Sequence, residues 1–215
     1  MVIEDSLLLK ENFINDVREF VKKKNWRKIL VSCKKYGINV TSETLWTFPS
    51  EYCVTYLKAL WKSFNITNVL SIGCGTGLME FILRESIGIR VTGLEVDKNW
   101  WSRHKPFIPL KFLDPGQEIT SKFLLDTCLS KNWNFSLMFC YFNNRKAFDE
   151  YVKCYKGNYV IIIGPAANTM RYTEPLPLDK EFQENENYKL IHVKEFGDNH
   201  DLIAIYEKCV KNLFA

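Results

Sequence analysis

The stretch VLSIGCGTG, residues Val69 to Gly77, decides the reading of this chain. An apolar run ends in three glycines at alternate positions, Gly73, Gly75 and Gly77. The segment LMEFILRES, with apolar spacing that suits a helix, follows at once. Glycine reaches backbone conformations closed to other residues and lets a ligand approach the main chain closely. The first turn of the following helix leaves N–H groups without intrahelical partners. A strand, a glycine turn and a helix in this order form a nucleotide-binding unit at the carboxyl end of a sheet.

The same alternation continues outward. Strands are expected at Val69–Gly73, Arg90–Glu95, Ile108–Leu113, Phe135–Cys140 and Tyr159–Ile163. Helices are expected between them, at Leu78–Ser86, Lys98–Arg103, Ser121–Leu129 and Arg145–Tyr155. Two last strands, Lys189–Phe196 and Leu202–Glu207, flank a turn from Gly197 to Asp201 and read as a hairpin. Before the glycine motif, helices are expected over Glu11–Lys24, over Trp26–Tyr36 up to Gly37, and after Pro49-Ser50. The fold class is therefore α/β and Rossmann-like: a mostly parallel seven-stranded sheet with helices on both faces and a C-terminal antiparallel hairpin. Residues 1–67 read as an N-terminal helical extension packed on a core formed by residues 68–215.

Composition narrows the function classes. The chain has 215 residues, 47% apolar and 25% charged, as an ordinary globular protein does. No apolar run is long enough to span a membrane, and the acidic N-terminus (Glu4, Asp5, Glu11) speaks against a leader segment. Seven cysteines without a C-x-x-C pair indicate reduced thiols, as in the cytoplasm or nucleus, rather than a disulfide framework or zinc site. Three histidines, none at metal-ligand spacing, give no reason to expect a metal.

Two ligand classes compete for the glycine turn. A dinucleotide fingerprint requires a small residue at position 78, where this chain has Leu78. The G-x-G-x-G form instead resembles the first motif of the Rossmann-like (class I) methyltransferases that use S-adenosylmethionine, and the resemblance extends over roughly Asn68 to Glu207. It implies a cofactor site made of Ser71, Gly73, Cys74, Gly75, Gly77, Glu95, Asp114 and Cys140. In it, Glu95 would take the ribose hydroxyls, with Asp97 as the second choice to share or take over that role, and Asp114 the adenine amine, unless Glu95 is a solvated strand end and Asp114 a turn cap. One departure stands out. Members of this superfamily often carry an acid where this chain has Ser71, a position that helps orient the glycine loop and the cofactor's amino group.

The acceptor side is less specific. Tyr141, Phe142 and Asn143 follow the fourth strand, and Asn168, Arg171 and Tyr172 lie on the loop after the fifth. Both groups are candidate substrate contacts, with core aromatics and a passive connection as the alternatives. Tyr141, Asn143 and His200 are the candidate catalytic groups. Trp46 and Phe48 either fold over the cofactor or pack the N-terminal helices, and one of Trp100 and Trp101 can stack beside adenine. Between Arg18 and Lys35 lie eight basic residues and one acid, Glu19, a stretch suited to RNA or an acidic protein. Two functional classes follow: a methyltransferase of unstated acceptor, or a non-catalytic subunit that keeps the cofactor fold as a sensor or partner.

Overall fold

Short polar side chains mark most helix starts in the computed structural model, which describes residues 2–41, 44–197 and 200–209. In chain order the elements are α1 (Val2–Lys22), α2 (Trp26–Tyr36), α3 (Ile38–Thr41), α4 (Glu51–Ser63), β1 (Asn68–Ile72), α5 (Leu78–Ile87), β2 (Arg90–Glu95), α6 (Lys98–Arg103) and β3 (Leu110–Phe112). They continue as α7 (Ser121–Thr127), β4 (Ser136–Cys140), α8 (Arg145–Cys154), β5 (Tyr159–Pro165), α9 (Lys180–Gln183), β6 (Tyr188–Glu195) and β7 (Asp201–Lys208). Asn25, Ser50, Asp97, Thr120, Asn144 and Asp179 each accept a backbone N–H in the first turn of the helix that they cap. A polar oxygen there satisfies a donor that the helix itself cannot.

The strands form one seven-stranded sheet in the order β3-β2-β1-β4-β5-β7-β6. All pairings from β3 to β5 are parallel, and β7 runs antiparallel to both β5 and β6. Central strands in such a sheet are covered on both faces, so their side chains are apolar in either direction. Val69, Met138, Ile161, Ile203 and Ile205 enter one hydrophobic cluster with Phe13, Val17, Ile29, Leu57 and Trp61 of the N-terminal helices. Leu70, Leu137, Phe139, Val160 and Ile162 enter the other, against Leu124 of α7 and Phe148, Tyr151 and Val152 of α8. The helices before β1 thus complete one face of the sheet. No helix among the described residues is long and apolar enough to cross a membrane.

Two boundaries and two short helices differ most from what is expected. Helix α1 begins near the start of the chain rather than at Glu11. The expected strand from Ile108 to Leu113 shortens to Leu110–Phe112, because Phe107 and Ile108 bury themselves against the glycine loop instead. The four-residue helices α3 and α9 are too short to show any periodicity in sequence. Of the expected turn between the last two strands, Asp198 and Asn199 lie outside the described residues, as does Ser42 ahead of Trp46.

Candidate functional site

The carboxyl ends of β1, β2 and β4 border a cleft of about 220 Å³. Its walls come from Thr44, Leu45 and Trp46, from Gly73 to Thr76, and from Met79, Glu80, Glu95, Trp101, Cys140 and Tyr141. A larger hollow of about 420 Å³ lies between α2 and Phe48–Glu51, with Arg27, Lys34 and Glu51 among its lining residues. Among the described residues, no buried and unpaired polar side-chain atom lines it.

The glycine loop is shaped by close neighbours. Gly73 and Gly75 have φ of 68° and 60°. A Cβ on Gly73 would lie 2.7 Å from the Phe142 ring, and one on Gly75 would lie 3.4 Å from Trp101. Two aromatic rings therefore clamp the loop at its main chain. Gly77 caps α5 without any side-chain hydrogen bond, so the donors of that first turn have no side-chain cap. Thr76 Oγ1 donates to the carbonyl of Thr44 (2.9 Å), which ties the Thr44–Trp46 segment to the loop.

Two carboxylates stand in the wall. Glu95 closes β2, is 6% exposed, and accepts the Gly75 N–H at 2.5 Å on Oε1 and the Val96 N–H at 3.2 Å on Oε2. Burial raises its pKa, against those two bonds and one from the Trp101 side chain. Glu80, in the first turn of α5, is only 1% exposed. Its Oε1 accepts the Ser71 hydroxyl at 2.7 Å, while its buried Oε2 has no partner among the described residues. Burial pushes the Glu80 carboxyl up to about 7. The hydrogen bonds from Ser71 and its own backbone oppose that rise, and the Glu95 charge adds to it.

The raised pKa has a defined sign. The native state holds this proton more tightly than the unfolded chain, so stability falls as pH rises from about 4.5 through 7, by about 3 kcal/mol once Glu80 is ionised. Cys74 and Cys140 are also pushed well above the usual thiol range by burial, with Glu80 adding to both. No Lys, Arg or His side chain is among the described lining residues. The cleft is negative and suits a cation rather than a phosphate.

A second network closes the rim. The Tyr141 hydroxyl donates to Asp201 Oδ1 (2.6 Å) and accepts from Arg171, whose Nη1 also pairs with Asp201 Oδ1 at 2.7 Å. Burial, then the hydrogen bond to Asp201 and the Asp201 charge, raises the Tyr141 phenol far above its usual value. Tyr141 is thus held as a protonated donor and does not serve as a base at neutral pH. The half-exposed Trp46 ring stacks on it at 6.0 Å between centroids.

The sequence candidates sort by place. Gly73, Cys74, Gly75, Glu95, Cys140 and Tyr141 line the cleft. Ser71 lies behind it, fully buried, and acts on it through Glu80. Gly77 is packed beneath Ile108 rather than open to the cleft. Asp114 lies outside the wall: β3 ends at Phe112, leaving Asp114 exposed in a turn with Gln117. Phe142 wedges under Gly73 instead of facing a substrate. Asn143 is exposed and bridges to Glu174, and Asn144 caps α8.

On the loop after β5, Asn168 is exposed, Tyr172 likewise, and of the three candidates there Arg171 reaches the rim network. His200 is exposed near Glu195 and lines no part of the cleft, which removes it as a base there. Trp101 enters the wall, whereas Trp100 is exposed, its ring tilted against His104 at 4.6 Å between centroids. Sequence reasoning missed Glu80 and Asp201. The available signal for Glu80 was a lone acid inside the apolar run LMEFIL, all of which is buried.

No family model matches the sequence, and no curated protein matches it. Solved structures do match. A protein of Staphylococcus aureus assigned as a caffeoyl-CoA O-methyltransferase superposes with a TM-score of 0.50 at 14% identity, over 84% of this chain and 92% of that one. The chain has the fold of the Rossmann-like methyltransferases. An O-methyltransferase of Bacillus cereus in complex with S-adenosylhomocysteine matches at a TM-score of 0.48 and 15% identity, covering 83% and 90% of the two chains. The magnesium protoporphyrin IX methyltransferase of Synechocystis PCC 6803 with bound S-adenosylmethionine matches at 0.47 and 11%, covering 80% and 82%. Within this methyltransferase fold the cleft lies at the β1–α5 turn, where the glycine motif sits.

Proposed function

We propose that this chain is an S-adenosylmethionine-dependent methyltransferase. One observation carries the reading. The glycine loop is held by the Glu95 carboxylate at the end of β2, in a cleft whose described lining contains acids and no cation. A pyrophosphate would meet repulsion there, whereas a ligand with a sulfonium and an ammonium finds a favourable field. The ligand fits the residues present. Glu95 keeps acceptor capacity for ribose hydroxyls, Trp101 offers a ring beside the loop, and the buried Glu80 Oε2 awaits a donor.

When bound, the ligand supplies a methyl group on a positively charged sulfur. The chain's own residues have to position an acceptor and exclude water, and a displacement of this kind gains much from orientation alone. Trp46 and Tyr141 stand at the mouth, with Arg171 and Asp201 fixing Tyr141. The acceptor is RNA, a protein or a small molecule. The seven unpaired cysteines fit a reducing compartment, the cytoplasm or nucleus.

Titration calorimetry with S-adenosylmethionine and S-adenosylhomocysteine, against NAD, tests the reading. Micromolar binding of the first two alone supports it, and binding of none overturns it. Glu95→Ala is expected to weaken both ligands by about 1–3 kcal/mol, roughly 5- to 150-fold, through lost charge-assisted hydrogen bonds. Unchanged affinity would remove Glu95 from the site.

The basic stretch 18–35 suits an anionic partner, RNA or an acidic protein, but fewer of its charges are available than the sequence suggests. Arg18 donates to the carbonyls of His104 and Lys105, Lys23 pairs with Glu19, and Arg27 pairs with Glu51. Lys22, Lys24 and Lys34 remain exposed without an ion pair among the described residues. Replacing these three by Ala is expected to reduce the salt dependence of single-stranded RNA binding by about 0.7 per lost phosphate contact. An unchanged slope would leave them as a solvated face.

A further inference from the structure

Building on the S-adenosylmethionine reading, we propose that Glu80 is the counter-ion for the ammonium at the amino-acid end of that ligand, supplied from α5 in place of an acid on β1. Three observations converge on it. Ser71, fully buried on β1, stands where this fold often carries an acid, and its hydroxyl donates directly to Glu80. The serine therefore holds a carboxylate that comes from the neighbouring helix. The other oxygen, Oε2, is buried in the wall of the cleft with no partner among the described residues. A carboxylate left so is costly unless a donor completes it.

Among the described residues no group donates to Oε2. The groups that act on Glu80 are Ser71 on β1, which donates to Oε1, Cys74 on the glycine loop, Glu95 on β2 and Cys140 on β4. Both thiols are pushed far up by burial and stay neutral, and Glu95 is an acid with a raised pKa of its own. The missing partner is thus a small cation that carries N–H groups. An ammonium brings three donors, whereas a sulfonium brings none, so the amino group of the ligand is the match.

The assignment makes binding depend on pH in a stated direction. Binding uses ionised Glu80, whose carboxyl in the free protein titrates at about 7. The Kd of the wild-type protein should therefore fall as pH rises through the titration of Glu80. Calorimetry of the wild-type protein at about pH 6.5, in two buffers of different ionisation heat, should show proton release on binding.

Glu80→Gln keeps the shape and removes the charge. It should weaken S-adenosylmethionine and S-adenosylhomocysteine alike, by about ten- to a hundredfold at about pH 7.5, and abolish the pH dependence. It should leave 5′-methylthioadenosine, which lacks the ammonium, bound as before. The double variant Ser71→Asp/Glu80→Gln should regain part of the loss by returning the acid to β1. The proposal fails if Glu80→Gln leaves affinity intact, if the pH dependence persists, or if 5′-methylthioadenosine weakens equally. Should the wild-type protein bind none of the three ligands, the methyltransferase reading falls with it. Binding by the wild type together with an indifferent Glu80→Gln overturns only the role of Glu80.

Discussion

Arg171→Met is expected to destabilise the protein by about 3–5 kcal/mol in urea denaturation at about pH 7. Asp201 has 0% exposure, and its Oδ1 receives Arg171 Nη1 at 2.7 Å and the Tyr141 hydroxyl at 2.6 Å. Oδ2 has no partner among the described residues, so the carboxylate depends on the guanidinium for its charge compensation. Removing one member of a buried ion pair leaves the other uncompensated, which costs far more than the pair contributes net. Arg171→Met/Asp201→Asn removes both charges and should recover most of the loss, giving a coupling energy of about 2 kcal/mol or more in a double-mutant cycle. A single-variant loss below about 1 kcal/mol would show that solvent already screens the pair, since Arg171 keeps 23% exposure.

How much of the fold and site is legible in the sequence depends on how local the determinant is. The central strands are visible because runs such as Leu137–Phe139 and Val160–Ile163 are apolar in both directions, which a two-faced sheet demands. The glycine loop and Glu95 are legible because both follow from position along the chain: a turn, then an acid closing the next strand. Asp114 is read at a strand end because the apolar pattern overstates the third strand. Ile108 leaves the strand to cover Gly77, and the chain passes Asp114 in an exposed turn. As site groups, Glu80 carries only the sequence signal of a lone acid in an apolar run, and Asp201 carries none. Their importance arises from burial beside residues 9 and 60 positions away, Ser71 and Tyr141, and no local pattern encodes that proximity. His200 suits a base by its place near a hairpin turn, yet its exposure and its position outside the cleft wall leave it no such part.

Gly77→Ala should lower stability by about 2–5 kcal/mol, and the loss has two separable parts. Gly77 has φ of 74°, where an L side chain strains the backbone by about 1–2 kcal/mol. Its new Cβ would also fall 2.5 Å from Ile108 Cγ1 and 3.1 Å from Cδ1. Ile108 is buried, and its Cδ1 already lies close to the backbone of Gly93, so it has little room to turn away. Overpacking of this kind costs about 1–3 kcal/mol more. Gly88→Ala isolates the first part, because Gly88 has φ of 83° and its added Cβ would meet nothing within 4 Å. The difference between the two variants in urea therefore reads the Ile108 clash directly, and Gly77→Ala/Ile108→Ala should recover part of it. Equal losses for Gly77→Ala and Gly88→Ala would mean that Ile108 yields freely. A larger loss at Gly77 should come with weakened S-adenosylmethionine binding, since the same displacement moves the first turn of α5 and, with it, Glu80.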